Sequence, residues 1–189
     1  MTPFEKAQTR LANGPAVTPE EIQAGSKWYR ESREAIREVY GEDWPLFCKC
    51  LAATSAHASL ATNMTLAKKA FNQIQDTGAV RRESFCRSHF KGLNHVIAGN
   101  LPRGRKVRNF AKALLGDESV VVVDVWMMRY AGLDKQSPTS RQYDYIEDRV
   151  REEAEDNNVT PSAWQAVLWS RTRGAGESFA RHLCQYRLL

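Results

Sequence analysis

The sequence has few of the features that mark metal-binding, redox or membrane proteins. Its four cysteines form no paired CxxC spacing, so neither a zinc site nor an iron–sulfur cluster is indicated, and we expect buried free thiols. No apolar run exceeds four residues, whereas a membrane-spanning helix needs roughly 20. No metal, no cofactor and no membrane partner is therefore predicted. The cysteines are Cys48, Cys50, Cys86 and Cys184.

Acidic residues are absent from one long stretch of the chain. Residues 84–116 contain seven Lys or Arg and no Asp or Glu, whereas residues 142–158 contain seven acids against Arg149 and Arg151. The net charge of +5 and the isoelectric point near 9.1 modestly favour an anionic partner. We expect the basic stretch to attract phosphate and the acidic one to be a solvated helix face.

Length and composition place the chain among globular proteins. It has 189 residues, 42% of them hydrophobic and 26% charged, which excludes disordered, collagen-like and membrane classes. The first ten residues, MTPFEKAQTR, show no basic segment followed by an apolar stretch. No secretory signal is visible, and a cytoplasmic location is expected.

Helix signals recur along the chain, and no two strand-like runs are available to pair. The segment Thr18-Pro19-Glu20-Glu21 predicts a capping box that opens a helix to about Tyr40. Gly92 is expected to separate two short helical pieces, and Val120–Val123 is predicted to be a buried extended segment. Further helices are predicted over residues 46–53, 60–77, 106–115 and 140–157, and from residues 125, 160 and about 176.

Two segments carry a resemblance to a known family. The first is the turn Leu101-Pro102-Arg103-Gly104-Arg105-Lys106 with the helix behind it, and the second is VVDVWMMR over residues 122–129. With an earlier piece over residues 44–71, they resemble the helix-hairpin-helix DNA glycosylase superfamily. That family carries a Leu-Pro-Gly-x-Gly hairpin, a lysine in its bifunctional members, and Val-Asp-Thr-His-Val-x-Arg with an essential aspartate. Lys106 precedes Asp124 by 18 residues, the family's usual spacing.

The chain also departs from the family pattern. Its hairpin is one residue shorter and keeps a single glycine, with Arg103 near the position of a family glycine. Val125 and Trp126 replace Thr-His after the aspartate, and the family's carboxy-terminal cysteine cluster is missing. The resemblance implies an all-α, two-lobed helical bundle without an iron–sulfur cluster. Its core would be residues 44–132, with residues 1–43 packing with the C-terminal helices and residues 133–189 completing the second lobe.

The resemblance also implies roles for individual residues. Asp124 would stabilise the cationic sugar formed when an N-glycosidic bond breaks, and Lys106 would form a Schiff base if the enzyme also cleaves the strand. Trp126 and Tyr130 would line the pocket for a flipped base. The predicted DNA contacts are Thr54, Ser55, His57, Arg103, Gly104, Arg105 and Arg108.

Each of these residues also has a plainer interpretation. Asp124 can be a helix N-cap, Lys106 a phosphate-contacting or solvated lysine, and Trp126 and Tyr130 core aromatics. His57 alone is weak evidence for any site.

Three functions remain open at this point. The first is excision of a damaged or modified base from double-stranded DNA by a small monomeric glycosylase, in the host cytoplasm if the protein is viral. The second is transfer chemistry on a flipped base, because some base-hypermodifying transferases of bacteriophages resemble this fold. The third is non-catalytic DNA binding or inhibition by a chain that keeps only the basic hairpin. Fold alone does not choose between them.

Overall fold

A computed structural model describes residues 17–134 and 137–174, and all of its regular structure in those ranges is helical. The all-α prediction is therefore confirmed for this part of the chain. Short 3-10 turns cover Gly41–Asp43 and Arg82–Ser84. The α-helices are α1 (Pro19–Tyr40), α2 (Trp44–Ala53), α3 (Leu60–Thr77), α4 (Arg87–Ile97), α5 (Arg105–Leu115), α6 (Val125–Tyr130), α7 (Ser140–Asp156) and α8 (Pro161–Arg173).

The described residues fall into two compact units. Residues 31–116 form one, which we call the hairpin unit, and residues 17–30 and 117–174 belong to the other, the aspartate unit. Helix α1 contributes its first part to the aspartate unit and its second part to the hairpin unit. The three predicted segments, 1–43, 44–132 and 133–189, remain predictions.

Helix α2 is the centre of the hairpin unit. It packs against α3, α4 and α5, and it buries Phe47, Leu51 and the small residues Ala52 and Ala53. A helix with apolar and small side chains around most of its circumference is stable only when neighbours cover it on several sides. This is why the sequence WPLFCKCLAA predicts a buried segment, and the structure confirms that prediction.

Helix α4 corrects one prediction. It runs without a break from Arg87 to Ile97, so Gly92 does not separate two helical pieces. Gly92 is buried in the middle of the helix, and a Cβ built on it would lie 3.3 Å from the Cβ of Ala53 on α2. The glycine therefore serves close helix packing, which a sequence signal for chain breaking does not distinguish from a turn.

In the aspartate unit, α6 and α7 pack against α8 around an apolar core. The predicted extended segment Val120–Val123 is buried and belongs to no strand. The side chain of Tyr143 forms hydrogen bonds with the backbone of this segment. Its hydroxyl accepts from the N–H of Val123 and donates to the carbonyl of Val121, both at 3.2 Å. Buried backbone groups need such partners when no neighbouring strand supplies them.

Helix starts follow the predicted signals closely. The Glu21 side chain accepts from the N–H of Thr18 at 2.8 Å, and the Thr18 hydroxyl accepts from the N–H of Glu21 at 3.3 Å. Helix α8 begins where predicted, and Thr160 caps it by accepting from the N–H of Ala163. The helix predicted from about residue 176 lies outside the described residues.

The thiols only partly match expectation. Cys48 and Cys50 are buried and free, and burial raises the pKa of each to about 12. Cys86 is also free but exposed, because it sits at the N-cap of α4, so the expectation of burial was wrong for this residue. Cys184 lies outside the described residues.

Two kinds of feature are missing from residues 17–134 and 137–174. None of their helices is both long and apolar enough to cross a membrane. Among the same residues, no cluster of His, Cys, Asp and Glu is suited to hold a metal ion.

Candidate nucleic-acid interface and the Asp124 carboxylate

The basic hairpin joins α4 to α5. The carbonyls at the end of α4 accept hydrogen bonds from the N–H groups of Ala98 (3.1 Å), Gly99 (2.9 Å) and Asn100 (3.0 Å), which closes the helix. The chain then reaches Gly104, whose φ of +112° is a conformation that residues with a Cβ rarely adopt. The single glycine of the hairpin is thus required by the backbone at the residue where α5 begins.

Helix α5 begins with positive charge. Its N-cap residue is Gly104, which has no side chain to cap the first amides, and the first turn contains no acid. Arg105 and Lys106 stand there instead. The partial positive charge of a helix N-terminus favours anions and disfavours cations, by about 0.3–1 kcal/mol per charge at exposed positions. The residue types at this start are therefore the reverse of the usual helix preference, and such departures from local preference are expected at functional sites.

A depression of about 560 Å³ lies beside the hairpin. No acid lines it, and neither Arg103 nor Arg108 forms a side-chain ion pair or hydrogen bond within residues 17–134 and 137–174. Both arginines are exposed, so they can turn toward a ligand at little cost. The lining residues are His95, Asn100, Leu101, Arg103 and Arg108. Sequence reasoning missed His95 and Asn100, although both lie within the acid-free stretch.

Lys106 is directed at the end of α2. Its Nζ donates to the Ser55 Oγ at 2.7 Å and to the Ser55 carbonyl at 3.2 Å, and the Ser55 hydroxyl donates to the carbonyl of Ala52 at 2.8 Å. A cation is favourable at a helix C-terminus, where carbonyl groups are left over. The structure thus brings together two predicted residues, Lys106 and Ser55. Both acceptors stabilise the ammonium form, whereas a Schiff-base nucleophile must be neutral when it attacks.

Thr54 does not fit its predicted role as a DNA contact. Its side chain is fully buried, and its hydroxyl donates to the Cys50 carbonyl at 2.9 Å and lies 2.7 Å from the Asn63 Oδ1. A hydroxyl satisfied inside the protein cannot reach a DNA strand. Thr54 instead fixes the start of the loop that follows α2.

The same loop leaves His57 exposed. His57 has a positive φ of +56°, and the neighbouring Ala56 carbonyl accepts from the His89 Nε2 at 2.8 Å. Together with the Lys106 contact to Ser55, this bond holds the loop against α4 and α5. His57 thus sits at the accessible tip of a loop with fixed ends, while its own role stays a prediction.

Asp124 is the N-cap of α6 and is half-buried. Its Oδ1 accepts from the backbone N–H groups of Trp126 at 2.9 Å and Met127 at 3.1 Å, and its Oδ2 accepts from the Trp169 Nε1 at 3.0 Å. The capping interpretation is confirmed. The carboxylate is also oriented, because both of its oxygens are held by donors from two helices.

The two predicted base-pocket aromatics have partners inside the aspartate unit. The Arg129 guanidinium stacks over the Trp126 ring, 4.4 Å from its centroid. The Tyr130 hydroxyl donates to the Glu153 Oε2 at 3.3 Å, and burial, followed by the Glu153 charge, raises the Tyr130 pKa. Tyr130 also packs on the core, which agrees with the core interpretation of that residue. Neither observation tests the pocket prediction.

Sequence reasoning missed Trp169, the partner of Asp124. Its ring lies 5.8 Å from that of Trp28 and carries the Arg173 guanidinium 4.9 Å from its centroid. Trp169 is 45 residues from Asp124, and no motif links the two. The sequence predicts only that a helix begins at residue 160.

The residues described above define an all-α protein with a basic helix–hairpin–helix in one unit and a capped, oriented carboxylate in the other. Residues 15–175 match the model of a family of unknown function, DUF7178. Because the match spans most of the chain, the protein belongs to the DUF7178 family. No curated protein and no solved structure matches the chain.

Proposed function

We propose that this protein binds double-stranded DNA through the hairpin between α4 and α5 and excises a damaged or modified base, with Asp124 as the carboxylate that stabilises the sugar cation. The fold class and the motifs at residues 101–106 and 122–129 support a glycosylase-like scaffold. The proposal is for a monomer that flips the target base out of the duplex before cleavage.

One observation carries the DNA-binding part of this proposal. The N-terminus of α5 has no capping side chain and no acid, and it holds cations where helices ordinarily hold acids. A DNA phosphate placed there would accept from the N–H groups of the first turn of α5 and would offset the charge of the arginines. Exposed Arg103, Arg105 and Arg108 are suited to phosphate contacts, which position a protein on DNA without reading its sequence.

The catalytic part rests on the state of Asp124. Cleavage of an N-glycosidic bond develops positive charge on the sugar, and an oriented carboxylate lowers the energy of that transition state. The Trp169 indole and the α6 amides hold the Asp124 carboxylate in one orientation, and it remains half-exposed. In this step the bond between C1′ and the base nitrogen breaks, the hydroxyl of a water molecule adds to C1′, and the proton of that water ends on the released base.

The decisive experiment measures product. The purified protein is incubated with genomic and viral DNAs that differ in base modification, and released bases and remaining nucleosides are identified by mass spectrometry. The proposal expects a free base from at least one DNA. Asp124→Asn should abolish release while DNA binding persists, since asparagine is nearly as good an N-cap as aspartate.

A second candidate, DNA binding without catalysis, has its own support. Lys106, the residue that a strand-cleaving glycosylase would use as nucleophile, is held by Ser55 at the end of α2. Under this candidate no DNA yields a product, and Asp124→Asn leaves binding unchanged. Borohydride trapping gives a further distinction, because only a Schiff-base mechanism yields a covalent adduct that Lys106→Gln removes.

A further inference from the structure

The depression beside the hairpin differs from a simple contact point for a DNA backbone. It offers two guanidinium groups, an imidazole and a carboxamide from Arg103, Arg108, His95 and Asn100, and no acid lines it. Its volume of about 560 Å³ lies within the range of about 300–1,000 Å³ typical of small-molecule sites. A bare phosphate group would fill only part of such a space.

The charge of the two arginines favours a phosphate monoester as the ligand. A phosphodiester within a strand carries one negative charge, whereas a phosphate monoester carries about 1.5–2 at pH 7 and has three terminal oxygens. Arg103 and Arg108 form no ion pair with any described residue, so both guanidinium groups are available to one anion. Two available arginines match a dianion better than a monoanion, and each can bind its oxygens in a bidentate manner.

The other lining residues suit the remainder of a nucleotide. Half-buried Leu101 presents an apolar surface for a sugar or a base. The Asn100 Nδ2 donates to the Ala98 carbonyl at 3.3 Å, which fixes the side chain at the edge of the depression. His95 comes from the last turn of α4 and can donate to a phosphate or hydroxyl oxygen.

We propose that the depression lined by His95, Asn100, Leu101, Arg103 and Arg108 binds a nucleotide that ends in a phosphate monoester, such as the phosphorylated end of a DNA strand at a nick. The inference rests on the proposed DNA-binding function and adds a preference for strand ends. A protein with this site would be retained at nicked or cleaved DNA.

The test compares duplexes that differ only at a nick. Fluorescence anisotropy measures the affinity for an intact duplex and for nicked duplexes with a 5′-phosphate, a 3′-phosphate or only hydroxyl groups at the nick. We expect one phosphorylated nick to bind about tenfold more tightly than the hydroxyl nick, which corresponds to about 1.4 kcal/mol. The Arg103→Gln/Arg108→Gln variant should lose this ratio.

A matched variant controls for charge. Arg87 and Lys91 are exposed on α4 outside the depression lining, so Arg87→Gln/Lys91→Gln removes the same charge. It should weaken binding to all four DNAs alike and keep the tenfold ratio. Far-ultraviolet circular dichroism of both variants checks that each is folded.

The outcomes separate this inference from the proposed function. Equal affinity of the unsubstituted protein for phosphate and hydroxyl nicks overturns the monoester site but leaves DNA binding intact. If no DNA binds, titration with a deoxynucleoside 5′-monophosphate decides. Binding that the Arg103→Gln/Arg108→Gln variant abolishes then supports a site for free nucleotides without a DNA function, and no binding overturns the inference.

Discussion

Two helices of this protein begin in opposite ways. Helix α6 starts at Asp124, whose carboxylate satisfies two backbone amides and carries negative charge where the helix dipole favours it. Helix α5 starts at Gly104, which has no side chain to accept from the amides of the first turn. Arg105 and Lys106 follow it. The first start is capped by a carboxylate of its own N-cap residue, whereas the second has neither an N-cap side chain nor an acid in its first turn. The difference indicates where an external anion is to be expected.

The largest expected effect on stability comes from removing the Asp124 cap of α6. Asp124→Ala deprives two amides of their cap and leaves the Trp169 indole without its acceptor, so we expect the free energy of unfolding to fall by about 2 kcal/mol. Urea denaturation followed by tryptophan fluorescence measures this loss. Asp124→Asn keeps a capping oxygen but turns its amide nitrogen toward the Trp169 indole, so it should lose the indole bond and keep the cap. Its loss should be smaller than that of Asp124→Ala, and equal losses in the two variants would contradict the capping account.

Replacing the arginines near the start of α5 should weaken DNA binding and change the stability of the fold little. Removing one phosphate contact lowers the slope of log K against log salt by about 0.9 on duplex DNA. Arg103→Gln/Arg108→Gln should therefore lower the slope by about 2 and weaken binding by about 1–2 kcal/mol at moderate salt. Anisotropy titrations at several salt concentrations measure the slope. An unchanged slope would place the DNA contacts elsewhere.

Replacing Gly104, the N-cap of α5, should have a smaller effect. A Cβ at Gly104 would lie 3.5 Å from the Val107 Cγ2, so Gly104→Ala finds room but is strained by the φ of +112°. We expect a loss of about 1 kcal/mol in the free energy of unfolding. Gly78, the cap that ends α3, has a φ of +69° and open space around it, so Gly78→Ala gives a control with similar strain outside the hairpin. Only Gly104→Ala should also weaken DNA binding.

The smallest expected effect concerns the reactivity of Cys86, the N-cap residue of α4. Partial burial of Cys86 acts to raise its pKa, but hydrogen bonds from the Ser88 hydroxyl and the backbone N–H groups of His89 and Ser88, together with the Arg82 charge, lower it below the ordinary value. Iodoacetamide near neutral pH should therefore label Cys86, while Cys48 and Cys50, with pKa values of about 12, stay unmodified.

Ser88→Ala should slow the Cys86 reaction only a few-fold, because the backbone donors and Arg82 remain. Peptide mass spectrometry after timed labelling measures the rate. Preferential labelling of Cys48 or Cys50 would contradict the buried positions of those thiols.

The fold was predictable where the signals are local. The capping box at Thr18 and the caps at Asp124 and Thr160 depend on residues two or three positions apart, and all three are confirmed. Gly92 was misinterpreted because its cause is a distant neighbour, Ala53, that comes close only after α2 and α4 pack.

The residues of the candidate site were likewise predictable only where they are close together in sequence. The basic hairpin is one continuous piece of sequence, so its residues could be named in advance. The fixed orientation of Asp124 depends on Trp169, and the loop after α2 depends on Lys106 and His89, all of them remote in sequence. For the same reason burial removed Thr54 from the predicted contacts, because its partner Asn63 lies on the next helix.

The hydroxyl of Tyr143 has a consequence beyond the segment that it bridges. By engaging Val121 and Val123 it substitutes for the neighbouring strand that this all-helical unit does not supply among the described residues. Because Val123 directly precedes Asp124, a phenol on α7 thus fixes the backbone from which the catalytic candidate extends. An evolutionary change of tyrosine to phenylalanine at that position would remove both bonds without altering any group that touches the carboxylate.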